Sequence, residues 1–235
     1  MAFVELSTDT VDGAIAADGL GADRVELCAA GALGGLTPGP GLLAATLARC
    51  TRAGVHVLIR PRDGGFRYAP AEVDAMLADV RHAVAAGAAG VVVGALTAAG
   101  EVDRVVVAEL VAAAAGREVT FHRAIDVCAD PLAALEVLAE LGVRRVLSSG
   151  QAATAVEGAP LLARMTELAG DRVTVMACGG IRPHNVRQVL ETTGVRHVHA
   201  APRRPAEQAP ATAVDFGVHE TLDVEAAKEL IAAAR

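Results

Sequence analysis

The sequence predicts a single-domain α/β protein, a closed (β/α)8 barrel with a C-terminal helix, spanning residues 1–235. Short β-branched runs alternate with alanine- and leucine-rich segments of helical spacing along the chain, as expected for strand–helix units around a parallel sheet. A doubly wound open sheet would more often carry a glycine-rich phosphate loop after its first strand, whereas Ser7-Thr-Asp-Thr follows here. The eight strands are predicted near residues 2–6, 23–28, 55–60, 90–94, 118–122, 143–148, 172–177 and 195–199.

Helix boundaries are marked by capping residues. Helical spacing predicts helices over 71–86 and 131–141, and Asp130-Pro131 is typical of an N-cap followed by proline at the first helical position. Four glycines stand where a helix ends and the next strand begins, as C′ residues do: Gly54, Gly87, Gly142 and Gly194. The barrel is expected to cover about residues 2–203.

The tail after the eighth strand is predicted to be a loop followed by a helix, over 204–235. The segment 202–210 is rich in proline, arginine and alanine, which indicates a loop. Asp223 is placed to cap a helix over 224–234, with Glu225 in its first turn. This helix could cover the bottom of the barrel, close its mouth or pack against another subunit.

Composition excludes several partner classes. The chain carries 21 Lys and Arg against 28 Asp and Glu, a net charge of −7, and nucleic-acid or acidic-membrane binding needs a basic face instead. Mean hydropathy is +0.40, but the uncharged stretch most similar to a membrane span, 83–100, is interrupted by glycines and predicts a helix end and a buried strand. No signal peptide is visible, and four cysteines without paired spacing favour a reducing cytoplasm. We therefore expect a cytoplasmic protein without nucleic-acid or membrane partners.

Polar residues follow the carboxyl ends of the predicted strands, where barrels of this class carry their functional groups. The carboxylates Glu5 and Glu26 and the imidazole of His122 are the acid–base candidates. A second group is suited to hold an anionic substrate: Arg60, Arg62, Arg123, Asp126, Ser148, Gly179, Gly180 and His199. Clustered acids and bases beside arginines are typical of proton abstraction and enediolate chemistry on a small anionic metabolite.

Two structural alternatives stay open at these strand ends. The two-residue period of a strand places Arg24, Glu26 and Cys28 on one face, so the glutamates could instead form a buried ion network with Arg24 and Arg60. Phe66 and Tyr68 follow the turn Asp63-Gly-Gly65 and could fold over a ligand or cover the rim of the core.

Five ordered motifs carry a family resemblance. These are Gly21-Ala-Asp-Arg-Val-Glu-Leu-Cys28, Gly34-Gly-Leu-Thr-Pro38, Arg60-Pro-Arg62 with Phe66 and Tyr68, Phe121-His-Arg-Ala124 with Asp126, and Ser148-Ser-Gly-Gln151. Together they resemble the CutC family over about residues 2–203. The resemblance implies a TIM barrel, a cytosolic protein associated with copper homeostasis and a homo-oligomer.

The resemblance also implies Cu(I) binding by thiolates at the ends of the first two strands. Cys28 matches the second position, but Ser7 stands where relatives often carry cysteine, and a hydroxyl is a poor Cu(I) ligand. Cys178 follows strand 7, which is not adjacent to strand 2, so it is not expected to restore the pair. Ala201 lacks the hydroxyl that relatives often place after strand 8, and the acid of the loop after strand 3 is shifted to Asp63. Two functions follow as expectations: weak Cu(I) binding through Cys28, or action on a small anionic metabolite.

Overall fold

The computed structural model describes residues 1–206 and 219–235. Its centre is a closed barrel of eight parallel strands in chain order, with β8 paired to β1, which confirms the predicted (β/α)8 fold. Each strand lies at or within a few residues of its predicted position: β1 Phe3–Thr8, β2 Arg24–Leu27, β3 Gly54–Leu58, β4 Gly90–Val93, β5 Glu118–Phe121, β6 Arg145–Ser148, β7 Thr174–Ala177 and β8 His197–Ala200.

Eight α-helices of the described residues surround the strands: α1 Val11–Gly19, α2 Pro40–Leu47, α3 Pro70–Ala86, α4 Arg104–Ala113, α5 Pro131–Glu140, α6 Ala159–Ala169, α7 Val186–Thr193 and α8 Val224–Ala234. The C-terminal helix α8 lies in the ring of helices, while its packing against another subunit stays a prediction. It contacts α7 and α1 and completes the ring of helices, and the Ala2 amide donates to the Ala234 carbonyl at 3.2 Å. The barrel therefore includes the end of the chain.

The segment after β8 is more ordered than the predicted loop. Strand β9, Arg203–Pro205, pairs antiparallel with β10, Glu220–Leu222, and so corrects the predicted loop where it overlaps it. Prolines are typical of loops, but Pro205 lies at the end of a strand that pairs on one side only among the described residues, where its missing N–H is tolerated. The rest of that predicted loop, 207–210, lies outside the described residues. No helix in the described ranges is long and apolar enough to cross a membrane.

Alternation along the strands separates two cores. Outward-facing side chains such as Val4, Leu6, Val25 and Leu27 are buried against the helices and belong to one continuous apolar cluster. The alternate residues face the barrel axis, and several are charged and nevertheless almost fully buried, including Glu5, Arg24 and Arg145. Buried charges need partners, so the interior is held by ion pairs as well as by packing.

Candidate functional site

The carboxyl ends of the strands open into a mouth that consists of two adjoining cavities. Lobe A has a volume of about 380 Å³, and lobe B has a volume of about 270 Å³. Four residues line both lobes and form the wall between them: Glu26, Gly34, Arg123 and His199. Three of these four belong to the predicted site.

Strand register places the predicted residue Glu5 next to His199 of this wall. Glu5 on β1 is level with Arg24 on β2 and with His199 on β8. The Arg24 Nε donates to Glu5 Oε2 at 2.5 Å, and His199 Nδ1 lies 2.7 Å from Glu5 Oε1. Burial alone would raise the pKa of Glu5, but the Arg24 charge and the His199 hydrogen bond outweigh it and hold that pKa below its usual range. Glu5 is therefore an ionised acceptor.

Glu26 lies at the next level, beside Ser7 in register. Its Oε1 accepts from Ser7 Oγ at 3.2 Å, and its Oε2 lies 4.0 Å from His199 Nδ1. Burial raises the pKa of Glu26, and the nearby Glu5 carboxylate adds to the increase despite the attraction of His199. Burial lowers the pKa of His199, but Glu26 and the hydrogen bond to Glu5 outweigh it, so the net shift is upward. The pKa values of Glu26 and His199 are thus both raised above their usual range.

The buried ion network that the sequence left open is formed around Arg24. Besides Glu5, its guanidinium donates to Glu118 at 2.5 Å and to Thr120 Oγ1 at 2.9 Å. Arg145 also pairs with Glu118. Glu5 therefore belongs both to the buried ion network and to the candidate site, because one carboxylate oxygen bonds Arg24 and the other orients His199.

His122 is a buried, neutral imidazole on the floor of lobe A. It follows β5 and caps the 3-10 turn Arg123–Val127, with its Nδ1 accepting from the Ala124 amide at 3.1 Å. Burial and the Arg60 charge lower the pKa of His122 to about 3. Since Nδ1 is an acceptor, the proton sits on Nε2, which has no hydrogen-bond partner among the described residues.

Arg60 lines lobe A, but its guanidinium donates its hydrogen bonds to backbone carbonyls. Its Nη1 donates to the carbonyls of Leu33 and Gly35, both at 2.9 Å, and its Nη2 donates to the Gly64 carbonyl at 3.0 Å. The guanidinium lies over the Phe66 ring at 5.4 Å. Arg60 therefore adds positive charge to lobe A while joining the loops that follow β2 and β3.

Arg123 and Asp126 form a bonded unit at the rim. Arg123 pairs with Asp126 at 2.8 Å and donates to Ser149 Oγ at 2.8 Å. Asp126 also accepts from Ser148 Oγ at 2.6 Å and from the Ser149 amide at 3.0 Å. Ser148 itself approaches Met165 of α6 and lines neither lobe. Arg123 is half exposed and faces both lobes, so it is the member of this unit best placed to meet a ligand.

Lobe B contains the predicted glycine pair. Gly179 and Gly180 have φ of +87° and +68°, a conformation that favours glycine, and both line this lobe. Arg182 and Arg203 line it as well, and Arg203 pairs with Asp9 at 2.9 Å. Three arginines, counting Arg123, thus border lobe B.

Arg62 lies apart from this group. Its guanidinium pairs with Glu72 of α3 at 2.5 Å and lies over the Tyr68 ring at 5.0 Å, and it lines neither lobe. The two aromatic residues of this loop therefore differ in position. Tyr68 packs against Arg62, whereas Phe66 lines lobe A and packs on His122 with ring centres 4.7 Å apart.

A high-affinity Cu(I) site does not fit the thiols present. Cys28 Sγ lies 3.9 Å from Ser7 Oγ, so the position of a second thiolate holds a hydroxyl. Burial raises the pKa of Cys28 to about 12, with the Glu26 charge contributing, and Cu(I) prefers a thiolate. Cys28 and Cys178 both line lobe B, yet Cys28 packs with Leu58 and Val92 while Cys178 packs with Leu147 and Met176.

Sequence reasoning missed the apolar wall of lobe A and one basic residue of lobe B as site residues. Leu33 and Val127 lie on the 3-10 turns that follow β2 and β5. Arg182 follows the glycine pair and lines lobe B. The available signal was position, because each of these residues lies in a loop after a strand carboxyl end.

Comparison with known proteins gives a consistent result. The CutC family model matches residues 2–204. A CutC family protein of Bacteroides thetaiotaomicron is 45% identical over 199 residues, covering 85% of this chain and 80% of the relative. The human copper homeostasis protein cutC homolog is 43% identical over 201 residues, covering 86% and 73%. The solved structure of a CutC protein from Streptococcus agalactiae superposes with a TM-score of 0.80 at 29% identity, covering 85% of this chain and 98% of that one.

Proposed function

This chain belongs to the CutC family, and on that premise we propose that it contributes to copper homeostasis through a mouth that binds a small anionic molecule and moves a proton on it. One observation carries the proposal. Glu5, Glu26 and His199 each offer an atom within 4.8 Å of the others, and Glu26 and His199 form part of the wall shared by both lobes. Perturbed acid–base groups in a cleft mark functional sites.

The roles follow from the hydrogen bonds. Ionised Glu5 can only accept, so His199 Nδ1 carries the proton of their bond and its Nε2 is left for the ligand. Glu26 and His199 have pKa values that are shifted upward, which brings the carboxyl closer to neutral pH, where a general acid or base works best. Glu26 is the proton acceptor of the pair, and Glu5 positions His199.

His122 acts as a hydrogen-bond donor and not as a base. A neutral imidazole whose Nε2–H faces no protein acceptor can polarise a carbonyl oxygen of the ligand. The Arg60 charge beside it favours negative charge that develops on that oxygen. The set of residues suits proton abstraction next to a carbonyl in a molecule that also carries an anionic group.

Sulfate binding tests the anion part, because sulfate does not itself titrate near neutrality. At about 100 times its Kd we expect a stabilisation of roughly 2.7 kcal/mol, a rise in Tm of roughly 5–11 °C for a chain of this size. The Arg123→Ala variant should lose most of this rise. The matched control Arg172→Ala, whose exposed pair with Glu136 lies elsewhere, should keep it. A wild-type protein without any sulfate-induced rise would refute anion binding.

The proton part is tested by calorimetry of sulfate binding at pH values on both sides of neutrality. Because a protonated Glu26 no longer repels an anion, wild-type affinity should increase as the pH falls. The Glu26→Gln variant should bind sulfate with a flatter pH profile, and Glu140→Gln, an exposed glutamate paired with Arg104, should behave as the wild type. An unchanged profile in Glu26→Gln would remove Glu26 from the proposal.

Direct Cu(I) binding is the second candidate, favoured by the two thiols that border lobe B. An anaerobic competition titration against a chromophoric chelator should show weak binding that Cys28→Ser abolishes and Arg123→Ala leaves intact. A comparison with Cys178→Ser decides whether both thiols take part. Binding that is equal in the wild type and both serine variants would refute a thiol-based copper site.

A further inference from the structure

We propose that the molecule bound in the mouth is amphipathic, with its anionic group in lobe B and an alkyl or aryl body in lobe A. This inference rests on the proposed anion binding and adds the class of ligand. It is drawn from the different linings of the two lobes and from their common wall.

Part of the lining of lobe A is apolar and open to solvent, beside polar groups that include Arg60 and Asp126. Leu33 and Val127, 53% and 64% exposed, stand on the two loops that border it, and Leu58, Phe66 and Leu147 line it further in. Exposed apolar side chains are ordinary when they are scattered, but here they line one cavity. A ligand with an apolar body would remove them from water, which a sulfate-sized ion would not do.

The floor of lobe A adds a requirement. His122 is only 5% exposed, and its Nε2–H has no partner within the described part of the chain. A buried donor without an acceptor is costly, so the ligand is expected to supply an oxygen there. The body in lobe A therefore carries a carbonyl or hydroxyl oxygen in addition to its apolar part.

Lobe B is bordered by more arginines than lobe A. Arg123, Arg182 and Arg203 border it, together with the backbone of Gly179 and Gly180. Guanidinium groups and exposed amides are the groups that bind phosphate, sulfate or carboxylate. The anionic end of the ligand is placed here.

The shared wall orients the ligand. A molecule that reaches from lobe B into lobe A must pass Glu26 and His199, which line both. Its atoms between the anionic end and the apolar body then lie beside the acid–base pair. The two lobes and the acid–base pair between them therefore suit a single ligand with two different ends.

A series of alkyl sulfates tests the inference on the full-length protein by calorimetry. Between methyl, butyl and hexyl sulfate, the Kd should fall by up to roughly fourfold for each methylene that is buried. The double variant Leu33→Ser/Val127→Ser should lose most of this gain while binding methyl sulfate as the wild type does. Both positions are already largely exposed, so folding is expected to be preserved. Val105→Ser, on α4 and 69% exposed, is the matched control.

The outcomes separate the two proposals. If methyl sulfate does not bind, the proposed anion site fails. If methyl sulfate binds and longer chains bind no more tightly, the anion site stands and the amphipathic ligand is refuted. A gain that the double variant keeps would refute lobe A as its location. Binding to vesicles of anionic phospholipid, with a gain that continues beyond the length of lobe A, would replace the small molecule by a lipid.

Discussion

At the scale of single residues, three histidines show how surroundings decide chemistry. His56 and His122 are buried near arginines, and burial together with that charge lowers the pKa of each to about 3. His199 is partly buried, but Glu26 and Glu5 outweigh the effect of burial and raise its pKa. One residue type thus provides two imidazoles with a lowered pKa and one with a raised pKa.

NMR titration of the imidazole resonances measures this difference. We expect His199 to titrate above its ordinary value of about 6.5, and His122 to stay neutral down to far lower pH. A raised folded-state pKa means that His199 adds stability below about pH 6.5 and that this part is lost as the pH rises through its folded pKa.

The Glu26→Gln variant should lower the pKa of His199, and the exposed Glu140→Gln should leave it unchanged. A His199 that titrates below 6.5 in the wild type would contradict the arrangement, given the reference value of about 6.5 for an unperturbed imidazole.

Strand position predicts some of the residues that reach the mouth, but not what each side chain does there. Glu26, Arg123 and His199 lie at the mouth because the strand ends converge. Arg62 and Ser148 also follow strand ends, but their side chains bond Glu72 and Asp126 and line neither lobe. Side-chain direction beyond a strand end depends on the loop conformation, which the two-residue period does not determine.

At the scale of elements, strand β4 and the residue after it make room for two histidines. A Cβ built on Gly94, directly after β4, would collide with the His122 ring, and one on Gly90 would collide with the His56 ring and the Glu118 carbonyl. Glycine is therefore needed at these two positions for space and not for its backbone angles. The ring of His56 on β3 and the ring of His122 after β5 occupy the space that side chains at Gly90 and Gly94 would take.

The Gly94→Ala variant is expected to displace His122 and to cost about 1–3 kcal/mol of unfolding free energy, as overpacking does. Urea denaturation gives the cost, and the His122 resonances report the displacement. Gly19→Ala, where an added Cβ meets nothing within 4 Å, should be neutral or slightly stabilising. Equal stability of the two variants would show that the ring moves aside freely.

Helix α8 had predictable bounds and an unpredictable place. Asp223 caps it, accepting from the Ala226 amide at 3.1 Å, as its position before the helical pattern indicated. Its location between α7 and α1 depends on which exposed groove of the barrel remains open, and the sequence pattern of α8 contains no information on that. The strand β9 was missed because prolines and arginines around it are typical of loops.

The Asp223→Ala variant should destabilise the protein by about 0.5–2 kcal/mol through loss of the cap. Asp223→Asn keeps an acceptor and should restore most of the loss. The free energy of unfolding in urea distinguishes them. Equal values for the two variants would mean that the cap contributes little because packing already holds α8 in place.

At the scale of the whole molecule, one ion network joins distant parts of the barrel. Arg24 on β2 bonds Glu5 on β1 and both Glu118 and Thr120 on β5, and Arg145 on β6 pairs with the same Glu118. The interior charges thus form one connected network. Each charged side chain in it is stabilised by the others in place of water. The two-residue period of a strand predicts that Arg24 and Glu26 lie on one face. It does not predict the pairing of Arg24 with Glu118, which is 94 residues away.

The Arg24→Ala variant is expected to lose about 3–5 kcal/mol, since the fully buried Glu5 carboxylate would lose its guanidinium partner. The exposed pair Arg172–Glu136 provides a control, because Arg172→Ala should cost about 0–1 kcal/mol.

The pKa of Glu5 is lowered, so the wild-type advantage over Arg24→Ala is present above the unfolded value of about 4.3 and shrinks as the pH falls below it. Urea denaturation at neutral and acidic pH measures this. An advantage that stays constant down to the lowest pH would exclude the Arg24–Glu5 attraction as its source.

Hydrogen bonds hold the loops of lobe A together without a ligand. Through three carbonyls, Arg60 fastens the segment after β2 to the turn after β3, and Leu33 and Phe66 are carried on these two segments. A ligand therefore does not have to order this wall, and less of its binding energy is spent on lost chain entropy. Association should proceed at the pace of diffusive encounter with a rigid cleft, without a slow closing step that saturates as ligand concentration increases.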